Sequence, residues 1–276
     1  MHLESEDGTQ LEATHYPGPQ AGWVFIGSAT GVPQRFYAPM ARWLVENVGV
    51  NVLTLDYRGV GASRPETLRG YPATKRDWAR DFAAGVAYAA ERGPTVVVGH
   101  SFCGHAFGMT TAHRKTRGCY VFAGGAGWHG WMPRGEGLRV WAAWNVLLPP
   151  LVSLYGYLPA RRLGMGEDLP RGVYKDWRRW CSYPNYFFDD PSAADFTGEF
   201  EQVEAPVVAV NSVDDRWAPP RSAQALFAHY PNHRLVTVDP SALGVKGIGH
   251  LNYVRPKCKA LWSDMGNFVR ERMELK

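Results

Sequence analysis

With 276 residues, 45% of them hydrophobic and 20% charged, the chain has the length and composition of an ordinary globular protein, large enough for a sizeable core in one large domain or two small ones. A formal net charge of +4, spread along the chain, is too small and too diffuse to point to nucleic acid. The four cysteines, Cys103, Cys119, Cys181 and Cys258, form no C-x-x-C pair and have no histidine at ligand spacing, which argues against zinc.

The start of the chain shows neither a basic segment nor an apolar run, so no signal peptide is expected; a cytoplasmic location with free thiols follows. Residues 11–16 read as an edge strand after the Asp7-Gly8 turn. A short apolar strand at 23–26 leads into a loop of small residues, Gly27-Ser28-Ala29-Thr30-Gly31. Phe36, Met40, Trp43, Leu44 and Val48 recur at helical spacing over 35–48. A second strand, 51–55, ends in a turn with two glycines, Asp56-Tyr57-Arg58-Gly59-Val60-Gly61-Ala62-Ser63, in which Arg58 reads as a brace through an ion pair. An alanine-rich helix at 76–92 stops at Gly93-Pro94. Val96, Val97 and Val98 then form a buried strand, and Gly99-His100-Ser101-Phe102-Cys103-Gly104 turns sharply into a helix expected to reach about residue 113. A further strand follows at 119–123.

Strands that alternate with helices in this way build a mostly parallel, doubly wound α/β sheet. The alternation lapses between 124 and about 204, where Trp128, Trp131, Trp141, Trp144, Trp177 and Trp180 gather among prolines and glycines. The longest apolar stretch, 138–158, lies there. Arg139, Pro149-Pro150 and Gly156 interrupt it, so it reads as two short buried or substrate-facing helices and not as a membrane span. The alternation resumes with a strand at 206–210, a helix at 221–229, a strand at 234–238 and a helix at 257–270. The expected organisation is therefore a core of residues 1–127 and 204–276, with an aromatic helical lid of residues 128–203 inserted between late strands. Ligands of open α/β sheets bind above the carboxyl ends of the strands, which such a lid would cover.

A serine on a tight strand-to-helix turn projects its hydroxyl above the sheet, where a nucleophile is needed. Ser101 is so placed. Its hydroxyl requires a base, and the base an acid to orient it, in the order Ser, acid, His for this architecture. Asp214 and Asp215 follow the strand at 206–210, and His250 follows Gly249 in a loop ahead of the final helix. Of the nine histidines only His250 has that order and setting; His100 and His105 read as structural. Spacing alone does not separate Asp214 from Asp215. An oxyanion would be met by the backbone N–H of Phe102 and by a second N–H from the loop after 23–26, with Ala29 and Thr30 as candidates.

Four motifs in this order resemble those of α/β-hydrolase-fold serine hydrolases: the two-glycine turn at 56–63, the elbow at 99–104, Asp215-Arg216-Trp217-Ala218-Pro219 as a D-x-x-x-P acid motif, and Gly249-His250 as the base motif. The elbow departs from G-x-S-x-G at Cys103, a small residue as the turn requires. Where the family's oxyanion loop begins His-Gly, this chain has Gly27-Ser28. More narrowly, Ala29-Thr30-Gly31-Val32-Pro33-Gln34-Arg35-Phe36-Tyr37 and Gly166-Glu167-Asp168-Leu169-Pro170 are similar to a group of bacterial α/β hydrolases without a settled substrate.

The resemblance implies Asp215 as the acid and a serine hydrolase acting on a carboxylic ester or thioester. Ser101, His250 and Asp215 would be catalytic, Phe102 and Ala29 would form the oxyanion hole, and no cofactor or metal would be required. The same residues would also serve acyl transfer or perhydrolysis; a non-catalytic binding protein on the same scaffold is the remaining alternative, against which the intact Ser, Asp and His argue. The expected partner is a small acyl substrate with an apolar part. A thiol at Cys103, so near the nucleophile, would make activity sensitive to alkylation.

Overall fold

The computed structural model describes residues 1–275. Two short strands, β1 (His2–Glu4) and β2 (Gln10–Tyr16), precede β3 (Trp23–Gly27). Helix α1 (Ala38–Val48), strand β4 (Asn51–Leu55), helix α2 (Lys75–Ala90), strand β5 (Thr95–His100), helix α3 (Cys103–Met109) and strand β6 (Cys119–Phe122) continue the alternation. Then come α4 (Arg134–Ala142), α5 (Leu148–Tyr155), β7 (Tyr157–Leu158), β8 (Leu169–Pro170), α6 (Arg171–Trp180) and α7 (Ala194–Thr197). The chain closes with β9 (Val207–Ser212), α8 (Pro220–Phe227), β10 (His233–Val238) and α9 (Ala260–Met273).

Eight strands form one sheet in the order β1-β2-β4-β3-β5-β6-β9-β10, antiparallel at β1–β2 and β2–β4 and parallel elsewhere. The chain passes from β3 to β4 on one side and then to β5 on the other, so the order reverses beside β3, where open α/β sheets bind ligands. Side chains alternate across the sheet. Val24, Ile26, Val96 and Val98 pack with Leu44 of α1 and Met265 of α9 on one face, while Phe25 and Val97 pack with Phe82 of α2 and Phe107 of α3 on the other. Strands buried on both faces have to be apolar throughout, which is why β3 and β5 read as continuous runs.

Local chemistry sets the element ends. Pro39 has no N–H to offer a preceding turn, so α1 starts at Ala38; the expected first turn, Gln34–Tyr37, is a separate 3₁₀ helix. Gly49 ends α1 with φ 83°. A capping box opens α2: Thr74 Oγ1 accepts from Asp77 N–H, and Asp77 Oδ2 accepts from Thr74 N–H at 2.8 Å. The strand at 10–16 is not an edge, because β1 pairs outside it. The helix after the elbow is shorter than expected. It ends at Met109, and a 3₁₀ segment, Thr111–Lys115, takes over.

Between β6 and β9, Pro149 and Pro150 lie in the first turn of α5, where a missing N–H costs little. A π-type turn, Ala143–Leu147, joins α5 to α4. Trp144, Leu148, Trp180 and Phe187 from this stretch belong to the same hydrophobic cluster as Phe25, Val97 and Phe102 of the sheet's face. Among the described residues no helix is long and apolar enough to cross a membrane.

Candidate active site

Ser101 occupies the turn between β5 and α3 with φ 51°, a left-handed conformation that costs a non-glycine residue energy. The turn is held by Ser101 N–H on Phe122 O at 2.8 Å and Gly104 N–H on Ser101 O at 3.0 Å. It folds Cys103 back against β3 and β5. A β-carbon at Gly27 would come 2.6 Å from Cys103 Sγ, and one at Gly99 would collide with the same side chain. The strand glycines and the small residue at 103 thus answer one steric demand. Cys103 is buried, as are the other three cysteines, and its side chain packs against the strand glycines away from solvent.

Three loops bring Ser101, His250 and Asp215 into line. His250 Nε2 lies 3.1 Å from Ser101 Oγ, and His250 Nδ1 lies 3.0 and 3.1 Å from the two Asp215 oxygens. An ionised carboxylate can only accept, so Nδ1 carries the proton and Nε2 offers its lone pair to the serine hydroxyl. Asp215 also accepts from Trp217 N–H, Ala218 N–H and the Tyr253 hydroxyl. Burial alone would raise its carboxyl. The His250 ring and the two backbone donors outweigh that and hold it below the usual value. Asp214 has a different position. It accepts from Ile248 N–H at 2.9 Å, Gly249 N–H at 3.1 Å and Ser212 Oγ at 2.5 Å, tying the end of β9 to the loop that carries His250.

A second buried chain of hydrogen bonds links the loop after β3 to the same histidine. His100 Nε2–H donates to His250 O at 2.7 Å. Burial pushes the His100 imidazole down to about 3, so the ring is neutral and its Nδ1 accepts from the Tyr37 hydroxyl at 3.1 Å. The Tyr37 oxygen in turn accepts from Ala29 N–H at 2.8 Å. Ala29 therefore has its donor occupied. Thr30 N–H and Phe102 N–H find no acceptor among the described residues. Tyr37 was not singled out from sequence as a site residue; its only signal was its place at the end of the 29–37 motif.

The motifs noted in the sequence contact one another. Glu167 N–H donates to Gly31 O at 3.0 Å, and the Glu167 carboxylate takes Arg35 at 2.9 Å and Arg161. The 29–37 and 166–170 segments are therefore one structural unit. Arg58 braces its turn, as expected, through Asp81 at 2.6 Å and Asp7 at 2.5 Å. Asp56 accepts from Gln34 N–H at 2.7 Å and Ala62 N–H at 2.9 Å, which joins the two-glycine turn to the loop after β3.

A cavity of about 570 Å³ opens above Ser101 and His250. Its walls are mostly apolar: Val140, Trp144, Leu148, Leu151, Trp177 and Trp217 face Ala29, Thr30 and His105. Burial lowers the His105 imidazole to about 3; its Nε2–H donates to Gly125 O at 2.9 Å. Two of the six tryptophans of residues 124–204, Trp144 and Trp177, line the cavity. Among the described residues no group of three or more His, Cys, Asp or Glu side chains could hold a metal ion.

The family model described as Alpha/beta hydrolase family matches residues 19–257. Among solved structures, the chain is similar to Est1E from Butyrivibrio proteoclasticus with bound ferulic acid, at 16% identity, covering 99% of both chains with a TM-score of 0.65. It is similar to a soluble variant of monoglyceride lipase from Saccharomyces cerevisiae in complex with a substrate analog, at 14% identity, covering 98% of this chain and 94% of that one with a TM-score of 0.70. It is also similar to the alpha/beta hydrolase GrgF from Penicillium sp. sh18, at 18% identity, covering 100% and 98% with a TM-score of 0.67. No curated protein matches the chain by sequence.

Proposed function

The chain belongs to the alpha/beta hydrolase family, and from that premise we propose that it is a serine hydrolase cleaving a carboxylic ester or thioester through an acyl-enzyme. The observation that carries the reading is the line of hydrogen bonds from Ser101 Oγ through His250 to Asp215, set beneath an apolar cavity. His250 Nε2 takes the hydroxyl proton as Ser101 Oγ attacks the carbonyl carbon, and the carbonyl oxygen becomes an oxyanion. The imidazolium that forms is stabilised by Asp215, which also keeps the proton on Nδ1. His250 then protonates the leaving alcohol or thiol as the C–O or C–S bond breaks. Water, deprotonated by the same nitrogen, attacks the acyl-enzyme, and Ser101 leaves with the proton restored.

The oxyanion is met by the free N–H groups of Phe102 and Thr30. Of the two candidates in the loop after β3, the geometry favours Thr30 over Ala29, whose N–H is bonded to Tyr37. Residues 128–203 act as the lid. The aromatic and aliphatic walls they contribute support an ester with an apolar acyl or alcohol part, since such walls reward buried apolar area. Exposed Leu147, Leu163, Met165 and Leu251 at the cavity wall continue that surface outwards.

A panel of nitrophenyl esters of graded acyl length tests the reading. Wild type should turn over at least the medium-chain members, with kcat/KM rising as apolar carbons are added, and Ser101→Ala should lose activity by several orders of magnitude. Equal hydrolysis by wild type and Ser101→Ala would sink it.

A further inference from the structure

Lys75, the first residue of α2, is completely buried, yet its ammonium forms no ion pair among the described residues. Lysine is rarely buried unpaired, because the charge loses its hydration without a compensating carboxylate. The groups around Nζ do not offset that loss: Asp176 attracts the charge but forms no ion pair with it among the described residues. Asp176 of α6 is engaged by the Lys75 backbone N–H at 2.9 Å, the Cys181 thiol is raised by burial to about 12, and the His105 imidazole is neutral. What Nζ does touch is specific. It donates to Thr30 Oγ1, and it lies 4.1 Å from the centre of the Phe102 ring, with the Trp78 and Trp177 rings at 5.4 and 5.3 Å. Thr30, in the loop after β3, and Phe102, at the elbow, both have N–H groups without an acceptor among the described residues.

We propose that Lys75 is a positioning residue of the oxyanion hole: it fixes Thr30 against Phe102 and turns the Thr30 hydroxyl into a third donor to the oxyanion. This rests on the serine-hydrolase reading above. In its protonated form Lys75 can only donate, so Thr30 Oγ1 accepts from it and the hydroxyl keeps its own proton for the cavity that Thr30 lines. The ring of Phe102 receives the cation on its face, which anchors the residue that supplies the other N–H. The positive charge is also placed behind the site where negative charge develops, in surroundings of low dielectric. Burial lowers the Lys75 amine to about 7, so holding it there disfavours the folded state. A residue kept only to fill space would be apolar.

The test compares Lys75→Met, Thr30→Val and the double variant with wild type on one nitrophenyl ester. Met fills the volume without the charge. Lys75→Met should lower kcat by about 10- to 100-fold with KM changed less than about threefold, because the lost donor acts in the transition state. Its melting temperature should hold or rise, which a merely structural lysine would not allow. Thr30→Val should lower kcat by a similar factor, and the double variant should be no worse than the poorer single one, since both remove one unit. A folded Lys75→Met with wild-type kcat, or losses that multiply in the double variant, overturns the proposal. If Lys75→Met does not fold, Thr30→Val decides: unchanged kcat overturns it. Wild type that is itself inactive and takes no fluorophosphonate on Ser101 refutes the serine-hydrolase reading instead, so the two failures are distinguishable.

Discussion

Lys75 is the residue at which burial and charge are most at odds. Its amine, lowered by burial from the ordinary 10.5 to about 7, is harder to protonate in the folded chain than in the unfolded one. Between those values the unfolded state binds more protons, so this residue's contribution to stability grows more favourable as pH rises. The penalty is fully present below about 7, shrinks above it and vanishes near 10.5. Lys75→Met removes it. The variant's stability gain over wild type, measured by urea unfolding, should therefore be constant below pH 7 and decline towards zero by pH 10.5. A gain that does not change across that window would contradict the account. Sequence offered no sign of this residue. Thr30 lies 45 positions upstream, and a lysine at the start of a helix ordinarily reads as solvated. The loop after β3 could be recognised from sequence, but that the Ala29 N–H is bonded to Tyr37, eight residues away, could not.

At the scale of elements, the end of β9 and the loop before α9 are joined by two adjacent acids facing different ways. Asp215 faces the His250 ring, and Asp214 holds the backbone at Ile248 and Gly249. The two lie in a turn after β9, closed by Asp215 N–H on Ser212 O at 3.1 Å, and their carboxylates leave it in different directions, so one addresses a side chain while the other braces a loop. Asp215→Asn should lower kcat by about a thousandfold or more, since an amide can force the wrong tautomer on His250. Asp214→Asn keeps one acceptor and should cost about 1–2 kcal/mol of stability, with a much smaller loss of kcat. The reverse ranking, measured by steady-state kinetics and thermal unfolding, would exchange their roles. The strands themselves were legible because β3, β4, β5, β6 and β9 are buried on both faces and so carry short apolar runs. Strand β1 escaped notice, since three residues with one apolar side chain carry no period. The prolines of α5, which read as a break, stand in its first turn, where a missing N–H costs little, and a π-type turn separates them from α4.

Across the whole molecule, the alternation of apolar strands and helices along the chain sufficed to anticipate a mostly parallel α/β sheet, and the sheet and the family match over residues 19–257 agree. What sequence could not supply were contacts between distant segments: Gly31 with Glu167, Lys75 with Thr30, and His100 with the His250 carbonyl. Each depends on how the insertion and the loops settle on the sheet, and neither composition nor spacing encodes that. The proposed function stands or falls with the nucleophilicity of Ser101. The most direct measurement is peptide mapping by mass spectrometry after reaction with a fluorophosphonate. The account predicts a single adduct on Ser101 in wild type, none in Ser101→Ala, and labelling slowed by orders of magnitude in His250→Ala. A folded wild-type protein that takes no adduct, or takes it at another residue, would contradict it.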